Sequence, residues 1–175
     1  MVFHPTDTVY GLGACAFSRR ALRRVFLLKG RRQENPLLIL TTPGRLLEVA
    51  SHIPNSLRRI WDEFLAEPIT AILPARHPRP YITARGKIGV RIPAEPFLLE
   101  ALSILKCPLA STSANPSGRV LSLPRALEYF QDKVDLVLLG EDPGTLPSTV
   151  IDFTQNPPRL VRRGAYLPKS FPLKR

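Results

Sequence analysis

The sequence predicts an α/β fold in which helices flank a twisted sheet of mixed strand direction. Short apolar runs typical of buried strands occur between segments whose apolar residues recur at helical spacing. The two kinds of segment follow one another in irregular order, whereas a strictly doubly wound sheet would alternate more regularly. With 175 residues, of which 44% are hydrophobic, the chain is long enough for one compact core. We therefore expect a single domain over residues 1–175.

Eight strands are expected from the apolar runs. The run at residues 37–40 is the clearest, because it is fully apolar and follows the turn residues Asn35 and Pro36. Residues 1–4 read as the end of a strand that leads into a Pro-Thr turn. In chain order the expected strands are residues 1–4, 37–40, 69–73, 88–92, 108–110, 136–139, 149–153 and 159–162.

Helices are expected between these strands. Ser18 can cap a helix start, and Gly30 is typical of the position after a helix end. Lys29 then lies in the last turn, where the helix dipole favours a cation. The apolar residues of this helix are Leu22, Val25 and Phe26. Further helices are expected at residues 45–50, 55–66 and 96–106 and after Ser122, and a mobile loop at residues 77–85.

The charge balance favours anionic partners. The chain has 25 Lys and Arg residues against 14 Asp and Glu, which gives a net charge of +11. Nucleotides, nucleic acids and acidic membrane surfaces are partners of this kind, although a solvated surface explains the charges equally well. No apolar run reaches the roughly 18 residues of a membrane span, and the N-terminus lacks the pattern of a signal peptide. We expect a cytoplasmic protein without a membrane partner.

The two cysteines are expected to be small buried thiols. Cys15 and Cys107 lie in apolar surroundings, which in a reducing compartment favours this reading over a disulfide or a nucleophile. They show no paired ligand spacing with the three histidines, which are His4, His52 and His77. We therefore expect no structural metal bound by the protein.

Three segments point to a phosphate-binding site. Residues 5–13 read PTDTVYGLG, a hydroxyl-rich turn in which two glycines would let backbone N–H groups approach a ligand. Lys29 and Arg31 would supply countercharge for a polyphosphate, one as a point charge and one as a planar fork. Residues 111–115 read STSAN and would form a turn with neutral donors after a buried strand. Each segment alone also occurs without a ligand, as a plain turn or a dipole-matched helix end.

Arg91 is the most informative single residue, because it lies between apolar neighbours in the strand at residues 88–92. A charged side chain inside an apolar strand needs a partner, since an unpaired buried charge is costly. That partner is either an acidic side chain such as Asp7 or the carboxylate of a substrate, and the sequence favours neither.

Six motifs follow one another along nearly the whole chain. They are PTDTVYGLG at residues 5–13, KGR at 29–31 with NPL at 35–37, GVRIP at 89–93, STSAN at 111–115, PSTVI at 147–151 and RRG at 162–164. In this order they resemble the YrdC/TsaC family of threonylcarbamoyl-AMP synthases, in which Lys-x-Arg and Ser-x-Asn are the active-site signature. The resemblance implies a YrdC-like (DHBP synthase-like) open α/β fold with a twisted mixed sheet and flanking helices.

The same resemblance implies a nucleotidyltransferase. Such an enzyme condenses L-threonine, bicarbonate or CO2, and ATP into threonylcarbamoyl-adenylate and pyrophosphate, with Mg²⁺ as the bridging cation. The product would feed the threonylcarbamoyladenosine modification of tRNA through a downstream threonylcarbamoyl transferase, and contact with RNA is expected.

The resemblance also implies roles for individual residues. The implied catalytic residues are Lys29, Arg31, Ser113 and Asn115. The implied ATP-binding residues are these four together with Asn35, Thr70, Ser111 and Arg162, the Ser/Asn group donating to the phosphates. The implied threonine-binding residues are Thr8, Arg91 and Ser148, with Arg91 meeting the threonine carboxylate.

Three departures from the family pattern are present. Four residues precede the Pro-Thr motif, where members usually carry a helix and most of a strand, so a shortened N-terminus is expected. The family segment Trp-Pro-Gly-Pro-Leu-Thr reads LAEPIT at residues 65–70, which retains Thr70. Arg163 replaces a proline, and Leu40 replaces a histidine found in many members.

Two alternative functions stay open at this point. One is a carbamoyl-adenylate-forming domain of the hydrogenase-maturation type, although the acylphosphatase and zinc-finger parts of those longer chains are not visible in this sequence. The other is a non-catalytic RNA-binding module, for which a basic concave face would suffice.

Overall fold

The computed structural model describes residues 1–31, 34–116, 121–141, 144 and 146–169. Its strands are β1 (Val2–His4), β2 (Gly11–Cys15), β3 (Leu38–Leu40), β4 (Ile69–Pro74), β5 (Thr83–Ala84), β6 (Lys87–Arg91), β7 (Leu109–Ser113), β8 (Leu136–Val137), β9 (Thr149–Asp152) and β10 (Arg159–Arg162). Its α-helices are α1 (Arg19–Lys29), α2 (Asn55–Arg58), α3 (Trp61–Ala66), α4 (Pro96–Leu105) and α5 (Leu123–Phe130), and 3₁₀ helices lie at Pro43–Glu48 and Gln131–Lys133.

One mixed sheet runs through the molecule in the order β10-β9-β4-β6-β3-β7-β2-β1-β8, with β5 paired to β6. The parallel pairs are β1 with β8, β3 with β6 and β4 with β9, and the remaining pairs are antiparallel. The predicted α/β fold with a mixed sheet and flanking helices is confirmed.

The two faces of the sheet bury different clusters. The larger cluster packs α1 against alternate residues of the central strands, such as Ile39, Val90 and Ala110. The opposite face buries Leu40 with α4 in a smaller cluster. This alternation follows from the period of two along a strand, and it explains why Leu40 can be apolar.

Helix α1 forms as the sequence predicts. The Ser18 hydroxyl accepts from the Ala21 N–H at 3.3 Å, and Gly30 ends the helix in the left-handed conformation at φ 55°. Lys29 occupies the last turn and is buried together with the apolar face. The capping residues and the apolar spacing agree here, which is why local information suffices.

Two segments predicted to be turns from their serine and glycine residues are strands in the structure. Residues 111–113 belong to β7, because Ser111 pairs with both Gly13 and Leu38. Gly11 and Gly13 likewise lie in β2. Serine and glycine favour turns locally, but pairing on both sides satisfies their backbone groups in an extended conformation.

Three further segments differ from the predictions. The helix expected at residues 55–66 is interrupted, because Ile60 leaves helical geometry at φ −117° and ψ 28°. The helix expected at residues 45–50 is a 3₁₀ helix that begins at Pro43. The loop expected at residues 77–85 contains β5 and the fully buried Ile82, so it is anchored to β6 and to the core.

The prediction of two reduced cysteines was also wrong. Cys15 and Cys107 form a disulfide that links the end of β2 to the segment before β7. The two strands pair in register at Cys15 and Leu109, which brings residue 107 close to residue 15. That proximity depends on long-range strand pairing and is not visible in local sequence.

Candidate active site

Buried polar side chains gather where the loop before β2 approaches the ends of β6, β7 and β9. Residues 5–10 lead into β2, and their polar groups turn inward rather than toward solvent. The buried polar set of this region is His4, Thr6, Thr8, Lys29, Thr70, Arg91, Ser111, Thr112 and Ser148. Buried polar groups need partners, so the contacts of each group show what the site is built to hold.

Arg91 lies at the end of β6 and is 3% exposed. Its Nη1 donates to Thr8 Oγ1 at 2.7 Å, and its Nη2 lies 2.5 Å from Asp7 Oδ2 in an ion pair. Of the two partners considered from the sequence, the structure shows Asp7. Arg91 Nε is nevertheless buried without a hydrogen-bond partner among the described residues. The guanidinium therefore retains donor capacity for an acceptor on a ligand.

Thr6 organises the turn that presents Asp7 and Thr8. Its hydroxyl accepts from the N–H groups of Thr8 and Val9, at 3.1 and 3.2 Å, and donates to the Val9 carbonyl at 2.7 Å. A hydroxyl that bonds its own backbone nearby fixes a turn in this way. Both groups that contact Arg91 are thus held by a local structure encoded in PTDT.

Ser148 connects the other side of the site to Thr70 and Arg162. The hydroxyls of Thr70 and Ser148 are 2.8 Å apart, and Arg162 Nη2 donates to the Ser148 carbonyl at 2.9 Å. Gly164 permits this arrangement, since a side chain at that position would collide with the carbonyl of Pro147. The chain after β10 therefore lies directly against the segment that carries Ser148.

Lys29 reaches from the end of α1 to the end of β7. Its Nζ donates to the carbonyls of Ser113, at 2.7 Å, and of Asn115. Burial, and then the positive charge of Arg31, lower the pKa of Lys29 from 10.5 to about 8. A lysine in this setting gains from a bound anion, because an anion offsets both effects.

Arg31 is held by three acceptors. Its Nη1 donates to Thr112 Oγ1 at 3.0 Å, and its Nη2 donates to the Pro36 carbonyl at 3.1 Å. Its Nε donates to the carbonyl of Asn35 at 2.5 Å. The backbone of the Asn-Pro segment after the helix thus orients the guanidinium, so this cation is positioned before any ligand binds.

Four cations lie close enough to affect one another. Burial first, and then the charge of Arg162, lower the pKa of Arg31. Burial first, and then the charge of Arg91, lower the pKa of Arg162. Together with the effect of Arg31 on Lys29, these couplings link Lys29, Arg31, Arg162 and Arg91 in a continuous cationic surface. Such a surface suits a polyphosphate beside a carboxylate.

His4 fixes the orientation of the Ser111 hydroxyl. Its Nδ1 lies 2.9 Å from the Pro5 carbonyl, and its Nε2 lies 3.0 Å from Ser111 Oγ. Burial lowers the pKa of His4 to about 4, against an opposing contribution from the Pro5 hydrogen bond. A carbonyl only accepts, so the neutral ring donates from Nδ1 and accepts the Ser111 proton at Nε2. Ser111 therefore offers lone pairs to a ligand.

Gly11 makes room for this pair. A Cβ built at Gly11 would lie 2.7 Å from the His4 ring and 2.8 Å from Ser111 Oγ. Gly11 is thus required because the side chains of His4 and Ser111 meet over β2 at this position, and not because the chain turns there. The sequence predicts a role for this glycine in the approach of a ligand to the backbone, whereas the structure shows that it leaves space for His4 and Ser111.

The structure brings most of the predicted site residues together, with three exceptions. Asn115 Oδ1 accepts from the Leu121 N–H at 2.7 Å, so its amide oxygen is engaged by the backbone just before α5. Asn35 and Ser113 are exposed and contact the cations through their carbonyls. For these three residues, the backbone rather than the side chain supports Lys29 and Arg31.

Comparison with known proteins identifies the family of this chain. The family model named for Sua5, YciO and YrdC, with the description "Telomere recombination", matches residues 1–164. The chain belongs to the Sua5/YciO/YrdC family. It is 36% identical over 170 residues to the threonylcarbamoyl-AMP synthase of Pyrococcus abyssi. This match covers 94% of the present chain and 50% of that protein.

Two solved structures resemble this Sua5/YciO/YrdC chain closely. The crystal structure of P. abyssi Sua5 complexed with L-threonine superposes with a TM-score of 0.86 at 36% identity, over 93% of this chain and 50% of that one. The crystal structure of Escherichia coli YciO superposes with a TM-score of 0.87 at 27% identity, over 97% and 85% of the two chains. The present chain thus spans about half the length of the P. abyssi protein.

Sequence reasoning missed two residues of this candidate site. From the sequence, His4 was weighed only as a metal ligand, which its spacing did not support, and Thr112 was given no role of its own. Thr112 faces away from Ser111 and Ser113 in β7 and so reaches Arg31 from the other side of the strand. Strand alternation would have identified it, had residues 111–113 been assigned to a strand.

Proposed function

We propose that this chain is a threonylcarbamoyl-AMP synthase that condenses L-threonine, bicarbonate or CO2, and ATP into threonylcarbamoyl-adenylate and pyrophosphate. The observation that carries the proposal is Arg91, a buried guanidinium whose Nε has no hydrogen-bond partner among the described residues. It joins the cationic surface of Lys29, Arg31 and Arg162. A carboxylate subsite adjacent to a polyphosphate subsite is what an amino acid and ATP require. The names of the P. abyssi relative and of the Sua5–threonine complex support the choice of amino acid.

The threonine subsite is assigned to Thr8, Arg91 and Ser148. Arg91 Nε would donate to the threonine carboxylate while Asp7 pairs with Nη2 and Thr8 accepts from Nη1. The hydroxyls of Thr8 and Ser148 are already fixed by Arg91 and Thr70. They can therefore position the amine and hydroxyl of threonine with little loss of side-chain freedom.

The ATP subsite is assigned to the cations and the polar residues around β7. Lys29 and Arg31 would bind the phosphates and stabilise the charge that develops on departing pyrophosphate. Ser111 would accept from a donor group of the nucleotide, since its own proton points to His4. The remaining assigned residues are Asn35, Thr70, Ser113, Asn115 and Arg162.

The proposed chemistry needs no covalent enzyme intermediate. The amine of threonine captures CO2 to form a carbamate, and a carbamate oxygen attacks the α-phosphorus of ATP as the bond to pyrophosphate breaks. Both reacting groups are anionic, so the four cations would reduce their repulsion and hold them in line. In the described residues no group of three His, Cys, Asp or Glu side chains is placed to hold a metal ion. Mg²⁺ would enter on the ATP phosphates as part of the substrate.

The product would leave for a tRNA threonylcarbamoyl transferase, in the cytoplasm. No helix in the described part of the chain is long and apolar enough to cross a membrane. The first test is pyrophosphate release from ATP, Mg²⁺ and bicarbonate with and without L-threonine, with the adenylate identified by mass spectrometry. Folded protein that shows no threonine-dependent release would refute the proposal.

Residue roles are tested by the KM for threonine. Thr8→Val and Ser148→Ala each remove one hydroxyl, which is worth about 1 kcal/mol, so KM should rise by roughly tenfold or less each. Ser103→Ala, on the exposed face of α4, is the matched control and should leave KM unchanged. Unchanged KM values in Thr8→Val and Ser148→Ala would contradict the threonine subsite.

A further inference from the structure

A second cationic surface lies on the outer side of α1, away from the candidate active site. It is a groove of about 960 Å³. Its cationic lining residues are Arg19, Arg20, Arg23, Arg24 and Lys133. The buried face of α1 carries Leu22, Val25, Phe26 and Lys29. Helical periodicity therefore directs Arg20, Arg23 and Arg24 away from Lys29, and Arg19 lies at the other end of α1 from it.

These arginines are not explained by the stability of the helix. The first turn of α1 contains no acidic residue, and its cations oppose the helix dipole. Arg19 and Arg23 are four residues apart, as are Arg20 and Arg24, so the like charges repel along one face. Within the described part of the chain, the groove arginine with a carboxylate contact is Arg24, which meets Asp135 at 2.6 Å. Arg19, Arg20 and Arg23 are exposed to solvent.

The shape of the surface favours a narrow polyanion. The cations line a concave groove, and a planar membrane surface cannot reach the floor of a groove. Arg19 and Arg23 lie roughly 6 Å apart along the helix axis, so these charged residues are spaced along α1 rather than concentrated at one point. A row of planar forks suits a strand that carries an anionic phosphate in every unit.

The groove also offers apolar contacts beside the cations. Leu27 is 71% exposed, and the ring of Tyr81 lies at the groove with its centroid 4.8 Å from that of Phe26. This packing holds the Tyr81 ring in place. Fixed aromatic and apolar side chains next to cations are the arrangement on which nucleobases stack while phosphates are neutralised.

We propose that the groove on α1 binds a single-stranded stretch of RNA, with Arg19, Arg20 and Arg23 on the phosphates and Tyr81 against a base. The net charge of +11 attracts such a ligand at long range, and the groove localises it. This proposal does not rest on the synthase activity, because none of these residues belongs to the candidate active site. Loss of RNA binding and loss of pyrophosphate release are therefore separate results.

The test is fluorescence anisotropy of a labelled 12-nucleotide oligouridine, titrated with the full chain between about 50 and 200 mM NaCl. The test variant is Arg19→Gln with Arg23→Gln. The matched control is Arg58→Gln with Arg59→Gln, which removes the same charge from an exposed site in and after α2. The test variant should lower affinity about tenfold at the lowest salt and reduce the salt slope by about 1.4, since each single-strand phosphate contact contributes about 0.7.

The control variant should keep the wild-type slope and bind within about twofold of wild type. Equal loss in both variants would show that binding follows net charge and not the groove, and would overturn the proposal. No binding by wild-type protein would overturn it as well. If the protein instead co-sediments with phosphatidylserine vesicles through Arg19 and Arg23 and fails to bind RNA, an anionic membrane, and not RNA, is the ligand of the groove. Circular dichroism and pyrophosphate release should be unchanged in both variants.

Discussion

Replacing His4 by glutamine should flatten the dependence of folding stability on pH between about pH 6.5 and 4.5. His4 is fully buried and binds Ser111 and the Pro5 carbonyl in its neutral form. Burial lowers its pKa from 6.5 to about 4. In this interval the unfolded chain takes up a proton that the folded protein does not, so the wild-type protein loses stability as pH falls.

The size of the effect follows from the two pKa values. Each unit of difference corresponds to about 1.4 kcal/mol, so a shift from 6.5 to about 4 amounts to roughly 3 kcal/mol across the full interval. Carboxylates whose pKa is lowered by folding affect stability at lower pH than His4 does. Hydrogen bonds from the amino terminus, and then from Arg24, lower the pKa of Asp135 to about 2, so its contribution is lost at lower pH.

Urea unfolding at pH 7.5, 6.5, 5.5 and 4.5 measures the effect directly. His4→Gln loses hydrogen bonds at every pH, about 1–3 kcal/mol, so the slope and not the absolute stability is the readout. His77→Gln, at an exposed position, is the matched control and should keep the wild-type slope. Parallel curves for wild type and His4→Gln would refute the assignment of a neutral, buried His4 that orients Ser111.

Three further predictions concern the cations and the disulfide. The apparent KM for ATP should rise as pH increases through about 8, because Lys29 loses its charge there, and Lys29→Arg should abolish the rise in steady-state assays from pH 7 to 9.5. Arg91→Met should lower the free energy of unfolding by about 3–5 kcal/mol in urea, because Asp7 loses its ion-pair partner. Adding Asp7→Asn to Arg91→Met should restore most of this loss. If the effects of the two substitutions simply add, Asp7 and Arg91 are not coupled. Cys15→Ser with Cys107→Ser should lower stability by up to about 4–5 kcal/mol for a sequence separation of 92, and thiol titration of unreduced, denatured wild type should find no free thiol; two thiols would refute the disulfide.

Sequence alone predicts the parts of this structure whose signals are local. Helix α1 follows from the Ser18 cap, the apolar spacing and Gly30, and the mixed sheet follows from the apolar runs and their irregular order. Residues 111–113 could not be assigned correctly, because their extended conformation depends on pairing with β2 and β3, which are distant in sequence. The disulfide depends on the same pairing.

In the candidate site, too, some residues are recognisable from local sequence and others only from the fold. Lys29, Arg31 and Arg91 could be selected because cations beside apolar residues are informative in any context. The partner of Arg91 required the fold, since Asp7 is 84 residues away and becomes a neighbour through the turn that Thr6 shapes. His4 was missed because its role depends on which ring nitrogen carries the proton beside Ser111. The sequence around a single histidine does not reveal this.

The central position of β7 determines when the part of the candidate site around Lys29 and Arg31 can form during synthesis. This strand lies between β2 and β3, which precede it by about 70 to 100 residues in the chain. Until it emerges from the ribosome, β2 and β3 present open hydrogen-bonding edges, which can pair with other chains. Over the same period Lys29 and Arg31 have not yet met Ser113, Asn115 and Thr112. The arrival of one five-residue strand therefore closes these two edges and supplies the acceptors that hold Lys29 and Arg31, whereas Ser148 and Arg162 join the site later in synthesis.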